Sequence, residues 1–342
     1  TMRLFKNLFN KKEDIQIEEP ISPAKEVSKQ GNLGGTKIND TNDHFTMLRD
    51  DGVRAMRTGQ LQYAEHCFTA ALKLQDDEVS KSYLAEIYMN LNIGEKALPI
   101  LNELAEHHPD EIKLFLAKAQ AAHQCSDWNA MNTAADQILR IDPKNSNGFF
   151  NKALALFGLK NYIQSIVLLT QILTDKPDAT QARMLRAKVL FEMQQYSEAE
   201  KDIDLIINEK QANEDVFALK GDICRALGHI EAAILNYNEM KEMNPFNQEF
   251  VLKVGKIYVE NHQLDKALSL YDEAIELQPN FAQAYKERGG VRFQLHDELG
   301  ATDDLKKALE LAPEEGHQLD GNYENVQNEM ENRYKAQNSF GF

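Results

Sequence analysis

The residues that could do chemistry in this chain are sparse and widely separated. His107 and His108 are adjacent at the end of a helical pattern. Neighbouring side chains on a helix point apart, so the pair is expected to meet backbone carbonyls rather than hold a metal. Cys67, Cys125 and Cys224 fall in three different stretches and form no CxxC pair. They read as small buried hydrophobes in a reducing compartment. The chain has no GxGxxG, no GxxxxGK phosphate loop and no HExxH helix. Its carboxylates scatter over solvent faces, and no Ser/His/Asp or Cys/His set can be assembled. The expectation is a protein that is not an enzyme and needs no cofactor and no metal.

Charge narrows the partners. The 342 residues carry 38 Lys and Arg against 54 Asp and Glu, a formal charge of −16. Phosphate-neutralising proteins need a cationic surface, so nucleic acid is not an expected ligand. No run approaches the ~18 apolar residues of a spanning helix, and no secretory segment is evident. Residues 1–44 differ from the rest and read as a largely disordered segment punctuated by Pro20, Pro23, Gly31, Gly34 and Gly35. Within it, residues 3–12 form a short amphipathic stretch. Leu4, Phe5, Leu8 and Phe9 share one helical face, flanked by Arg3, Lys6, Lys11 and Lys12. That stretch could touch a membrane surface through residues 2–12, dock on a partner, or occupy a groove of its own chain.

The elements behind these residues are set by a rhythm. Pro109, Pro143 and Pro177 are spaced by 34 residues, and so are Pro245, Pro279 and Pro313, with Gln211 at the missing mark. Between marks, apolar residues recur at helical spacing in two runs, as in Val251, Val254, Ile257 and Tyr258 and then Leu264, Ala267, Leu268, Tyr271, Ala274 and Ile275. Proline ends each unit because it cannot donate to a continuing helix. The phase predicts eight hairpins over 45–313, at about 45–77, 78–111, 112–145, 146–179, 180–213, 214–247, 248–281 and 282–313. One small residue recurs in the first helix: Gly52, Ala85, Ala119, Ala153, Ala187, Gly221, Gly255 and Gly289. Another recurs in the second: Ala64, Ala97, Ala199, Ala233, Ala267 and Ala301, with Met131 and Ser165 as exceptions. The two are expected to face each other where the helices approach. Residues 314–342 carry Tyr323, Val326, Met330 and Tyr334 on one stripe, which reads as a capping helix with a frayed tail.

The period, the paired helices, the small residues and the terminal proline together resemble the tetratricopeptide repeat family. The resemblance is fullest at Val251, Val254, Gly255, Tyr258, Ala267, Tyr271, Ala274 and Pro279. It implies an all-α fold, a right-handed α-α superhelix of about eight helical hairpins whose first helices line a concave groove. It further implies a non-catalytic scaffold or adaptor that binds a peptide or protein segment there. The alternative is a membrane-associated assembly or recruitment factor tethered by its N-terminal stretch. A cytoplasmic protein, monomeric or weakly self-associating, fits either reading. By phase, the implied groove residues are Leu116, Gln120, His123, Phe150, Asn151, Leu154, Phe157, Met184, Lys188, Phe191, Asp222, Arg225 and Lys256. Phe150, Leu154, Phe157 and Phe191 could equally pack between neighbouring hairpins.

Overall fold

The structure is a computed structural model that describes residues 39–313; the amphipathic stretch at 3–12 and the expected capping helix lie outside the described residues. All sixteen elements found there are α-helices. They are α1 (Asn39–Arg57), α2 (Leu61–Leu74), α3 (Glu78–Asn90), α4 (Gly94–His107), α5 (Ile112–Gln124), α6 (Trp128–Ile141), α7 (Ser146–Gly158) and α8 (Tyr162–Asp175). Then follow α9 (Thr180–Glu192), α10 (Tyr196–Asn208), α11 (Glu214–Ala226), α12 (Ile230–Met243), α13 (Gln248–Glu260), α14 (Leu264–Leu277), α15 (Ala282–Gln294) and α16 (Glu298–Leu311). Residues 39–44, read above as part of the linker, are helical and extend α1. The chain divides into two compact units that part between Val189 and Leu190. In the first unit, α1–α8 pack in sequence order, each on the next. In the second, α10–α16 do the same.

One turn closes the hairpins. Gly59, Asn92, Ser126 and Lys160 in the first unit, and Gln194, Gly228, His262 and His296 in the second, all have positive φ. From Asn92 onward they recur every 34 residues. The following residue donates its N–H back to the helix, as in Asp127 to Ala122 and Gln263 to Tyr258, both at 2.8 Å. This is the Schellman arrangement, in which a left-handed residue satisfies the orphan carbonyls of the helix end. First helices after α1 often start on a side-chain cap. Asp77, Asn145, Asn213 and Asn247 each accept the N–H three residues on.

The prolines explain how second helices end. The residue before each of Pro143, Pro177, Pro245 and Pro279 has left the helix: Asp142 (φ −130°), Lys176 (φ −137°), Asn244 (φ −145°) and Gln278 (φ −134°). Proline forces this by clashing with a helical predecessor. At Gln211 the proline is missing and the ending changes. α10 finishes in a Schellman turn, with Lys210 at φ 56° and the Gln211 N–H on the Ile206 carbonyl.

The helix seam differs from the simple expectation of small against small. A Cβ added at Gly52 would strike Phe68, one at Gly221 the Tyr237 ring, and one at Gly255 the Tyr271 ring. The first-helix glycine is therefore a notch for the large residue sixteen positions on. Where the first helix carries Ala119 or Ala153 instead, that later position holds Ala135 or Leu169. Volume lost on one helix is gained on the other, as close packing requires. The small positions of either helix meet backbone across the seam. A Cβ at Gly289 would lie 3.2 Å from the Ala301 carbonyl oxygen, and Ser165 donates its hydroxyl to the Ala153 carbonyl at 2.7 Å. That hydrogen bond is how a polar residue is tolerated at a wholly buried position.

Candidate peptide-binding cleft

In the first unit the leading helices α5 and α7, with the start of α9, enclose an open cleft of about 860 Å³. Helical spacing puts Lys113, Leu116, Gln120 and His123 on one face of α5. One period later the same positions of α7 supply Asn147, Phe150 and Leu154, joined by Asn151. Gln181 of α9 repeats Asn147 one period further, and Met131 of α6 forms the floor. Leu116, Phe150, Asn151 and Leu154 are half-buried, whereas Lys113, Gln120, His123, Asn147 and Gln181 are exposed. His123 leans edge-on against Trp128, ring centroids 5.6 Å apart. Trp128 is itself wedged against Gly158, where any Cβ would overlap the indole. The result is an apolar strip bordered by four side-chain amides, one ammonium and one imidazole. Each amide offers both a donor and an acceptor, the pattern an extended peptide backbone presents.

Six of the thirteen groove residues expected from the sequence line this cleft: Leu116, Gln120, His123, Phe150, Asn151 and Leu154. Met184 and Lys188 lie on α9 outside its wall. Phe157 tilts against Tyr162 at 6.0 Å and Phe191 against Tyr196 at 5.4 Å, so both rings serve as turn packing. Asp222 accepts hydrogen bonds from the Tyr237 hydroxyl and from the Lys253 ammonium, each at 2.7 Å. Arg225 pairs with Glu260 at 2.7 Å. These two charges are engaged in the second unit because α13 repeats α11 and brings partners within reach; Lys256 stays exposed. The phase argument missed Lys113, Asn147 and Gln181, which continue the same face one turn toward the N-terminus. It also missed Met131, read only as an exception to the small-residue rule.

Outside the cleft, the adjacent histidines both meet one carboxylate. His107 Nδ1 and His108 Nε2 donate to the two oxygens of Glu78 at 2.6 and 2.8 Å. Glu78 opens α3 and the histidines close α4, so the contact clasps the open end of one hairpin. Hydrogen bonds from His108 and then His107 hold the Glu78 carboxyl below its usual range. A lowered folded-state pKa gives stability that is present above the ordinary carboxylate range and is lost as pH falls through the lowered value. Glu78 is 36 % exposed, so solvent screening keeps the effect small. Glu78→Gln should melt below the parent at neutral pH, and the gap should close in acid. Thermal melts by circular dichroism across pH 3 to 7 check this, and a gap constant with pH would refute it.

The stacked antiparallel hairpins define a helical-repeat protein with an amide-lined cleft on its leading helices. Comparison with known families is in accord. The description "Tetratricopeptide repeat" matches residues 156–223, and "TPR repeat" matches residues 255–295. The chain thus carries tetratricopeptide repeats over these two stretches. It is 25% identical over 247 residues to a TPR repeat-containing protein of Methanocaldococcus jannaschii, covering 66% of this chain and 43% of that one. It is 31% identical over 140 residues to the human protein O-mannosyl-transferase TMTC3, covering 40% of this chain and 15% of that one. It thus spans less than half the length of these relatives. Among solved structures, a tetratricopeptide repeat protein from Parabacteroides merdae superposes with a TM-score of 0.59 at 15% identity, over 78% of this chain and 99% of that one. That likeness concerns the fold.

Proposed function

We propose that the protein is a non-catalytic scaffold that binds an extended protein segment in the cleft of α5, α7 and α9. The observation that carries this is the repeat of chemistry along the cleft wall. Apolar Leu116 and Phe150 are one period apart, as are the polar Lys113, Asn147 and Gln181. Amides bordering an apolar strip suit a chain that offers backbone groups at regular intervals and side chains between them. A cytoplasmic location suits its three free thiols, Cys67, Cys125 and Cys224. TMTC3 is named for a transferase, but the match reaches only 15% of it.

The test begins by selecting binders from a random-peptide display library on the immobilised chain. A selected peptide is then measured against variants by fluorescence anisotropy. Phe150→Ala should weaken it by about 2 kcal/mol, roughly thirtyfold in Kd, as expected for a central aromatic anchor. Phe157→Ala should leave affinity unchanged, because that ring packs on Tyr162. Binders indifferent to Phe150 would move the site elsewhere.

A further inference from the structure

One face of the first unit is covered where its counterparts are open. Ser82, Glu86 and Met89 of α3 stand one period before Leu116, Gln120 and His123, the cleft wall of α5. The two helices have equivalent surroundings: α3 packs against α1, α2, α4 and α5, and α5 packs against α3, α4, α6 and α7. Gln120 and His123 are nevertheless exposed, whereas Glu86 is 7% and Met89 8% accessible. The matching position on α1, Met56, is also 8% accessible, with Val53 packed beside it. Repeat packing alone therefore does not account for the cover on α3. Among the described residues no hydrogen bond or ion pair to Glu86 is found, and burial pushes its carboxyl up. A sunken carboxylate with no partner among the described residues, on a face that also carries Met56 and Met89, asks for an apolar occupant that brings a cation.

The chain owns such an occupant. Residues 3–12 read RLFKNLFNKK, with Leu4, Phe5, Leu8 and Phe9 on one face among Arg3, Lys6, Lys11 and Lys12. Residues 13–38 join that stretch to the start of α1, a tether able to span tens of ångströms when extended. The tether also keeps the stretch at a high effective concentration, so that even a weak contact is populated.

We infer that residues 2–12 dock intramolecularly on the face formed by Val53, Met56, Ser82, Glu86 and Met89, with a lysine or arginine of the stretch against Glu86. The inference stands on the α3 face and does not depend on whether the neighbouring cleft binds a peptide.

The experiment uses the full chain with a benzophenone amino acid at Phe5. After irradiation, peptide mapping should place the cross-link within residues 53–57 or 78–90, in the monomer band, at a yield independent of protein concentration. Lys6→Glu with Lys11→Glu should cut that yield about tenfold; both positions precede the described helices, so the repeats themselves are untouched. Glu86→Lys should do the same, with an unchanged helical spectrum showing that the repeats have folded. Cross-links between two chains, cross-links to α5 or α7, or no cross-link at all would overturn the inference. So would a yield insensitive to both charge reversals. Flotation of the intact chain with anionic vesicles, abolished by Lys6→Glu with Lys11→Glu, would assign the stretch to a membrane surface instead.

Discussion

Gly221→Ala is expected to destabilise the second unit by about 2–3 kcal/mol, a large effect for one methyl group. The new Cβ would sit inside the Tyr237 ring. That ring cannot swing away. It is wholly buried, its hydroxyl donates to Asp222 at 2.7 Å, and the Lys253 ammonium lies 5.7 Å from its centroid. Moving Tyr237 would also loosen the Asp222–Lys253 pair that links α11 to α13. The sequence supplies its own control, since Ala153 is matched with Leu169 at the same two positions of another hairpin. Gly221→Ala with Tyr237→Leu should recover part of the loss, leaving the cost of the missing hydroxyl bond. A double-mutant cycle in urea, read by circular dichroism, measures the coupling. Additive single losses would show that notch and ring do not compensate.

The second large effect is expected at Asp304. Its side chain is 4% exposed and holds two arginines. Arg288 bonds it at 2.9 and 2.6 Å, and Arg292 bonds it at 2.9 Å. Asp304 first, and Asp272 second, keep the Arg288 guanidinium firmly charged. Asp304→Ala would strand two cations around a vacated site, a change that typically costs about 3–5 kcal/mol when the pair is buried. Asp272 still meets Arg288 at 2.7 Å, which puts the expected loss near 3 kcal/mol. Replacing Arg288 by Met and Asp304 by Leu together should cost far less, because the desolvation penalty goes with the charges. Amide exchange of α15 and α16 is the suitable readout, since a repeat array opens locally. Unchanged protection in Asp304→Ala would show the cluster to be ornamental.

Much of the fold was legible because sterics write it at a fixed period. Proline marks, small residues and apolar runs each recur every 34 residues, and each has a local cause that sequence alone exposes. What was not legible depends on which residue meets which across the seam. The glycine notch could be read as small, but the ring filling it stands sixteen positions on, a pairing that only the helix crossing reveals. The ending of α10 at Lys210 was visible just as a missing proline. At the site, the α5 and α7 positions followed from phase, because the cleft wall is a helix face. Asp222 and Arg225 are paired for an equally regular reason: two successive first helices carry opposite charges at facing positions. Whether a groove charge is free or paired is a property of two repeats together, and one repeat read in isolation does not contain it.

The order of packing within each unit, helix on next helix, also bears on mechanics. A hairpin held chiefly by its two neighbours can let go while the remainder stays folded. Drawn out by tension along the chain, such a unit would yield in increments of one period, each paying out roughly 110 Å of extended polypeptide. A molecule of this build behaves as an extensible link, giving length gradually where a single-core domain would rupture at once.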